Sequence, residues 1–393
     1  MNQLDNTGSE RLDATACVSI VVPTYKEAGN LTPLVMGITE AMRPLGRPYE
    51  IILVDDNSRD GTEEVVAKLA RLDHPVKLIT RMDQRGLSSA VLRGFREAKG
   101  DVLVCMDADL SHPPQALPVL LESLRDRQTD FVIGSRYVRG GGTEEGWGLF
   151  RWLNSKVATL LARPFTSVAD PMAGFFALPA SVFRRATSLS PVGYKIGLEL
   201  IVKCGCKNIR EVPIRFANRK FGESKLSLRE QFNYIKHLKR LADYKYGTFS
   251  EMFQFCLVGG TGTVVDLSIY LLLLVAFVPR PGAALALCRG LAIWVAMTWN
   301  FFLNRRLTFS HSRLSKALPQ YGRFVLACSI GALVNWFIGV ALPLKASFFE
   351  AHKMYAAALG ILAGLVFNYA MSRYWVFRRL AHSVPHSTKP PED

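Results

Sequence analysis

The chain has 393 residues, with 48 Lys and Arg against 33 Asp and Glu, and a formal net charge of +15 at pH 7. This length allows two or three domains, and the charge admits nucleic acid, anionic lipid or phosphorylated substrates as partners. Nucleic acid is disfavoured because the basic excess flanks hydrophobic segments, and the seven scattered cysteines lack the spacing of a zinc site and fit reduced thiols.

Residues 1–16 contain no apolar run, so a flexible N-terminus without a cleaved signal peptide is expected. The segments CVSIVVPTYKEAGNL and YEIILVDDNSRDGT each read as a short β-branched strand, a polar turn and a helix, opening near Asn30 and Thr62. VKLIT is a third strand, followed by a helix over LSSAVLRGFREA. DVLVCMDADLSHPP is a buried strand that ends in Asp107 and Asp109, with Pro113 and Pro114 opening the next helix, where a missing N–H does no harm. DFVIGSRY is the strand after it.

Strands alternating with helices predict an α/β domain, Rossmann-like, with a parallel sheet covered on both faces. Ligands of such sheets bind beyond the carboxyl ends of the strands. Pro23, Tyr25 and Glu27, then Asp55 and Asp56, then Asp107 and Asp109 are therefore expected to converge on one crevice. No G-x-G-x-x-G follows the first strand and no G-x-x-x-x-G-K-[ST] occurs, which removes dinucleotide and P-loop readings. Asp107 and Asp109 alone could be a solvated acidic turn. In this company they are hard oxygen ligands suited to Mg²⁺ or Mn²⁺ shared with substrate phosphates.

Arg136 leaves the same sheet edge. Arg219, Lys220 and Lys225 surround Gly222 in a donor-rich loop that reads either as a clamp over phosphates or as a solvated basic turn. Two later stretches are amphipathic and basic. GLFRWLNSKVATLLARPF sets Leu149, Trp152, Leu153, Val157, Leu160 and Leu161 against Arg151, Lys156 and Arg163. LSLREQFNYIKHLKRLADYK sets Leu228, Phe232, Ile235, Leu238 and Leu241 against Arg229, Lys236, Lys239 and Arg240. Both are read as helices lying on a membrane surface, with packing on the enzyme core as the alternative.

Beyond Tyr246 the chain turns apolar. Four segments, about Phe253–Val278, Ala283–Leu303, Phe324–Leu344 and Met354–Met371, approach the roughly 20 residues that a bilayer requires. The loop NRRLTFSHSRLSKALPQYGR and Arg373, Arg378 and Arg379 place the middle loop and both chain ends in the cytoplasm by the positive-inside rule. FCLVGGTGTVVDL near Phe255 repeats as FVLACSIGALVNW at Phe324, and NFFLNRRLTF at Asn300 as NYAMSRYWVF at Asn368. The repeat predicts two hairpins of like orientation. Asp266 and Arg289 lie inside apolar segments, either as a structural ion pair or in a transport or head-group role.

The segments VPTYKEAGNL, ILVDDNSRDGT, DADLSHPP, IGSRY, GLELIVK, IREVPIRF and NRKFGESKL, in this order, resemble the family 2 glycosyltransferases of GT-A fold, and among them the dolichol-phosphate mannose synthases. VGGTGTVVDL and NFFLNRRLTF resemble the GtrA-like membrane domain. The resemblance implies a GT-A domain over 17–225, an interfacial helix and linker over 226–250, a four-span domain over 251–380 and a flexible tail over 381–393. It implies a metal-dependent, inverting transfer of mannose from GDP-mannose to a polyprenyl phosphate at the cytoplasmic membrane face. It places nucleotide contacts on Pro23, Tyr25, Glu27, Val54 and Asp56, and metal and diphosphate contacts on Asp107, Ala108 and Asp109. Further substrate contacts fall on Arg136, Arg219 and Lys225, so Asp109, Arg136, Arg219 and Lys225 are the expected catalytic set.

An acceptor phosphate is already an anion, so no strong base is required; Asp109 and Glu199 are the candidates for assistance, and Glu199 alternatively positions Arg219. The sequence departs from the family pattern at Lys26, Ser111, Met172 and Ala173. A UDP-glucose-dependent glucosyltransferase and a lipid-linked sugar flippase with a nucleotide-binding domain are the alternative readings. A processive synthase is disfavoured because no Q-x-x-R-W follows the aspartates.

Overall fold

The computed structural model describes residues 15–126, 128–144, 149–186, 188–190, 195–217, 228–277, 283–351 and 353–378. The chain divides into two compact units, Met1–Lys245 and Tyr246–Asp393. The first contains, in order, β1 (Val18–Thr24), α1 (Ala28–Met42), β2 (Tyr49–Asp55), α2 (Thr62–Arg71), β3 (Val76–Thr80), α3 (Leu87–Glu97), β4 (Val102–Cys105), α4 (Leu117–Ser123), β5 (Phe131–Ser135), β6 (Gly142–Thr143), α5 (Leu149–Ala162), β7 (Phe176–Pro179), α6 (Ala180–Phe183), α7 (Ile196–Lys203), β8 (Ile209–Pro213), β9 (Arg215–Phe216) and α8 (Leu228–Tyr246). A single 3₁₀ turn, Pro114–Ala116, precedes α4, so the helix read as opening at Pro113 and Pro114 begins tightly wound.

The main sheet runs β3-β2-β1-β4-β7-β5-β8, and β6 pairs separately with β9. Its pairs are parallel except those of β7, which is antiparallel to both β4 and β5. Side chains of a strand alternate between faces, and here that alternation sorts two cores. Val18, Ile20, Val22, Ile51, Leu53, Val102 and Val104 pack with Leu31, Leu34, Ile38, Val66, Leu69 and Leu120 of α1, α2 and α4. Val21, Ile52, Val54, Leu103 and Cys105 pack with Val91, Phe95, Ile196, Leu200 and Ile201 of α3 and α7 on the other face. Both faces are dry, which is why these strands read as continuous apolar runs.

The register sets the site. β1 pairs with β4 only from Val18 opposite Val102 to Val21 opposite Cys105, whereas its pairing with β2 continues to Thr24 opposite Asp55. Pro23 thus sits where β4 no longer faces it and its missing N–H leaves no ladder bond unmade. From β1 the chain builds one way through β2 and β3, then returns to place β4 on the other side. The gap where β1 and β4 part is the topological switch point of the sheet.

On α8, Leu238 and Leu241 are buried with Ala162, Met172 and Leu198, and Tyr234 Oη donates to the Ala158 carbonyl at 2.7 Å. This corrects the expectation that both leucines face lipid; the apolar stripe of α8 docks on the first unit along that line. Phe232 and Ile235 remain exposed, as do Leu153, Val157, Leu160 and Leu161 of α5.

The second unit contains α9 (Thr248–Phe277), α10 (Ala283–Leu303), α11 (Ala317–Lys345), the short α12 (Ser347–Ala351) and α13 (Lys353–Met371), with single π turns at Asn304–Thr308 and Ser372–Val376. Thr248–Phe277 and Ala317–Ile338 are long and apolar enough to cross a bilayer. Leu271, Leu272, Val275 and Phe277 of α9 and Leu333, Trp336 and Phe337 of α11 are exposed, an outward apolar surface that water would penalise. Phe255, Phe301, Phe309, Phe324, Tyr369 and Phe377 form an aromatic cluster, with Phe309 stacked on Phe377 at 4.9 Å between ring centroids. These are repeat-related positions: Phe255 and Phe324 are 69 residues apart, Phe309 and Phe377 are 68 apart.

Candidate active site

The turn after β4 is braced from within. The Asp107 N–H donates to His112 Nδ1 at 3.0 Å, which leaves the proton of the neutral ring on Nε2, 3.8 Å from Asp107 Oδ2. His112 is buried, stacked on Phe175 at 5.3 Å and edge-on to Phe216 at 5.4 Å. Leu110 takes a left-handed φ of 62°, and the Ser111 N–H returns to Asp109 Oδ1 at 3.1 Å. Ala108 and Asp109 are buried, whereas the Asp107 side chain keeps 26 % of its exposure. The Ser111 hydroxyl is buried without a hydrogen-bond partner among the described residues. Two carboxylates and a hydroxyl on one turn are hard oxygen donors, a set that fits a divalent cation completed by phosphates and water.

Opposite, across the switch point, the β1 turn is locked to β2. Asp55 accepts the Ser58 N–H at 2.8 Å and its hydroxyl, and the Ser58 Oγ accepts the Lys26 N–H at 2.8 Å. Asp55 therefore builds the loop and is not presented to the crevice. Lys26 has φ 60°, a left-handed conformation in which asparagine is favoured among side-chain-bearing residues. Tyr25 carries Lys26 Nζ at 5.6 Å and the Arg85 guanidinium at 5.3 Å over its ring. Glu27 occupies the N-cap position of α1 without a side-chain bond to the helix N–H groups, and its carboxylate accepts the Asn30 side-chain amide at 2.6 Å. Asp56 is buried against the Arg81 guanidinium and accepts the Gly86 N–H at 2.7 Å, which ties the β2 end to the start of α3.

Arg136 follows β5. Its Nε and Nη2 form a bidentate pair with Asp170 at 2.7 and 2.8 Å, its N–H donates to the same carboxylate at 3.1 Å, and its guanidinium lies over Phe216 at 5.3 Å. Asp170 is fully buried; its N–H and that of Ala169 donate to Glu211 of β8 at 3.0 and 2.7 Å. Burial opposes the Arg136 charge, but the bonds and charge of Asp170, with smaller help from Tyr137 and Asp107, outweigh it and raise its pKa above the usual guanidinium value.

The same loop returns to the acidic turn at Gly174. A Cβ there would stand 3.1 Å from Asp107 Oδ2 and 3.3 Å from both Oδ1 and His112 Cε1. Gly174→Ala should therefore push the Asp107 carboxylate aside and lower kcat/KM by roughly tenfold with a small loss of stability, measured by sugar-transfer kinetics beside a melting curve.

Lys195 opens α7 and faces this cluster electrostatically. Burial, then the Arg136 charge, pulls its pKa down to about 7, against the pull of Asp170, Asp107 and Glu230. Its ammonium is present below that pH and lost above it. Activity with an anionic substrate should fall as the pH rises through about 7, and Lys195→Met should flatten that limb of the kcat/KM profile.

Glu199 is buried and accepts the Lys203 ammonium at 2.7 Å and the Ser190 N–H at 2.8 Å, so its Oε1 serves its own helix and the loop before it. Arg219, Lys220 and Lys225 lie outside the described residues. The last residue before that segment, Ala217, donates its N–H to the Ser111 carbonyl at 3.1 Å.

Comparison with known proteins decides the family. Residues 19–186 match the model of glycosyl transferase family 2, and 254–377 match the GtrA/DPMS transmembrane domain. A dolichol-phosphate mannosyltransferase of Pyrococcus furiosus is 37% identical over 361 residues, covering 91% of this chain and 98% of the relative. The chain belongs to the dolichol-phosphate mannosyltransferase family, within glycosyl transferase family 2. It is a glycosyltransferase with a GtrA-like membrane domain. Relatives of the same name from Mycosarcoma maydis and Saccharomyces cerevisiae are each 44% identical, over 247 and 237 residues, and cover 61% and 58% of the chain. Those two matches cover about three fifths of the chain, whereas the Pyrococcus match covers nearly all of it.

For this glycosyltransferase the sequence pointed at the three strand ends and missed what surrounds them. Asp170 carried one signal, a lone acid in the neutral stretch TSVADPMAGF. His112, one step beyond the acidic turn, was legible as a turn residue only. Arg81, Arg85 and Lys195 carried none.

Proposed function

We propose that this chain transfers mannose from GDP-mannose to a dolichyl-type polyprenyl phosphate at the cytoplasmic face of a membrane, with Mg²⁺ or Mn²⁺ and with inversion at the anomeric carbon. The observation that carries this reading is the match along nearly the full length of a dolichol-phosphate mannosyltransferase. The clustering of Asp107, Asp109 and Arg136 at the strand ends supports it.

Asp107 and Asp109 would hold the cation, with the Ser111 hydroxyl as a further oxygen. When bound, that ion supplies neutralising charge for a diphosphate leaving group. Arg136, fixed by Asp170, adds a permanent cation on the same side. An oxygen of the acceptor phosphate attacks the anomeric carbon; the bond from that carbon to the nucleoside diphosphate oxygen breaks, and the diphosphate leaves with the electron pair. A single displacement inverts the centre. A phosphate monoester has its second pKa near about 6, so no proton need be removed at neutral pH. Pro23, Tyr25, Glu27 and Asp56 line the nucleotide side in this reading, with only the backbone of the core residue Val54 available to it, and Arg219 and Lys225 close over the phosphates.

In the same proposal α9, α10, α11 and α13 are four spans, with Arg305, Arg306, Arg313, Lys316 and Arg378 on the cytoplasmic side by charge. Residues 17–225 form the transferase domain, 226–250 an interfacial helix and linker that also docks on it, and 251–380 the membrane domain.

The test is purified full-length protein with short polyprenyl phosphates and a panel of nucleotide sugars, read by mass spectrometry of the lipid. A mannosyl lipid made from GDP-mannose is the expected product. A glucosyl lipid from UDP-glucose, or nucleotide binding with no lipid product, replaces this reading by a rival. A chain ending at Tyr246 should still make product in detergent, with its losses concentrated at low acceptor concentration, because anchoring raises the local concentration of a scarce lipid. Normal nucleotide binding without product at saturating acceptor would show that the spans complete the active site.

A further inference from the structure

Two contacts of the membrane unit recur at the repeat offset. Arg305 Nε donates to Gln320 Oε1 at 2.9 Å, and Arg373, 68 residues on, donates to Glu251, 69 residues before Gln320. A side chain at Gly262 would strike Asn300, and one at Gly331 would strike Asn368, at the same offsets. Asp266 and Arg289, like Thr261 with Trp299, have no such counterpart. Their counterparts by sequence are Asn335 and Ala357, which cannot form an ion pair; a Cβ on Gly364 would meet the Asn335 Cβ at 3.1 Å. A brace that one hairpin does without is a poor account of a charged pair kept in the other.

The geometry leaves much of Arg289 uncommitted. Its Nη1 alone reaches both Asp266 oxygens, at 2.8 Å each, and the guanidinium lies over the Tyr270 ring at 5.2 Å. Nε and Nη2, with three N–H donors, bond to no described residue. The Arg289 side chain is 42% exposed against 16% for Asp266. On a span, that exposure faces lipid, where an unmet donor is costly and the abundant acceptor is a lipid phosphate. The Nε and Nη2 edge is planar and matches two phosphate oxygens. Arg289 is the seventh residue of α10, roughly 9 Å along the helix from its start, within reach of a head-group layer for a side chain that extends toward the interface. That start lies at the end of the hairpin away from Thr248, where the chain enters the unit.

We propose that Arg289, held in place by Asp266 and Tyr270, is a binding site for the phosphate of a membrane lipid in the leaflet opposite the transferase. The site rests on the four-span reading above.

The test is native mass spectrometry of delipidated full-length protein with polyprenyl phosphate, phosphatidylglycerol or inorganic phosphate, and with the matching polyprenol as the arm without phosphate. Wild type should retain one more phosphate lipid than Arg289→Gln, with affinity roughly tenfold higher, the scale of losing one charge-assisted bond. The lipid arm that shows the difference identifies the source. Asp266→Asn frees the guanidinium from its competitor and should hold the lipid at least as tightly as wild type. A pair that only braces the fold would instead make both variants alike, with equal adducts and equal loss of melting temperature, and that result overturns the site. So does retention of polyprenol as strong as that of its phosphate, or binding of inorganic phosphate alone. Cys288, beside Arg289, separates the underlying reading: rapid labelling by an impermeant maleimide in sealed vesicles removes α10 from the bilayer, and the proposal with it. Slow labelling with identical adducts in wild type and Arg289→Gln overturns the site alone.

Discussion

Asp109→Asn should abolish sugar transfer, by on the order of 10³-fold in kcat/KM, in a protein that melts within a degree or two of wild type. The amide keeps the Oδ1 acceptor that takes the Ser111 N–H at 3.1 Å, so the left-handed turn at Leu110 is retained. What is lost is the formal charge and one of the two carboxylate ligands of the proposed cation site. Asp107→Asn should behave differently. That carboxylate stands 3.8 Å from His112 Nε2 and adds to the charge felt by Arg136, so its loss should weaken nucleotide and cation binding together. Calorimetric titration of nucleotide with and without Mn²⁺ distinguishes the two variants. Transfer by Asp109→Asn within tenfold of wild type, or transfer that survives EDTA, removes the cation from the mechanism.

The sheet was legible because its strands are apolar on both faces, and a strand such as VSIVVPT or IILVD leaves few other structures open. Period-2 sorting of Val21 from Ile20 and Val22 into separate cores was not needed to see that. The strand-end carboxylates were legible for the same reason, since a charged residue at the end of a dry strand marks where the backbone leaves the core. Contacts between segments distant in sequence were not. Asp170 lies 34 residues from Arg136 and Arg81 lies 25 residues from Asp56, and nothing local in either segment announces its partner. Asp55 and Asp56 are adjacent and looked equivalent in the sequence; only the fold shows one bent into its own turn and the other clamped by a guanidinium. The α8 stripe failed at Leu238 and Leu241 because amphipathic periodicity reports that a helix has an apolar face, not whether protein or lipid covers it.

Asp170→Ala should cost about 3–5 kcal/mol of stability, the usual penalty for leaving a buried charge without its partner. Asp170 is fully buried and receives Arg136 through three bonds, while its own N–H is held by Glu211 of β8. Removing the carboxylate exposes Arg136 to the desolvation that it otherwise overcomes, and its elevated pKa should fall. For a catalytic unit of this size the melting temperature should drop by roughly 10 °C. Stability alone would not show that the pair builds the site, so the informative variant is the double substitution Asp170→Asn with Arg136→Gln. An amide pair of similar shape carries no buried charge and should recover most of the lost stability. Transfer should remain depressed, by about 10²-fold or more, because the fixed cation beside Asp107 is gone. Arg136→Lys should fall between, keeping charge but losing the bidentate grip, with the deficit mainly in kcat. If the double variant regains activity along with stability, the pair is a brace for the β5 loop, and the charge that stabilises the leaving diphosphate is supplied elsewhere.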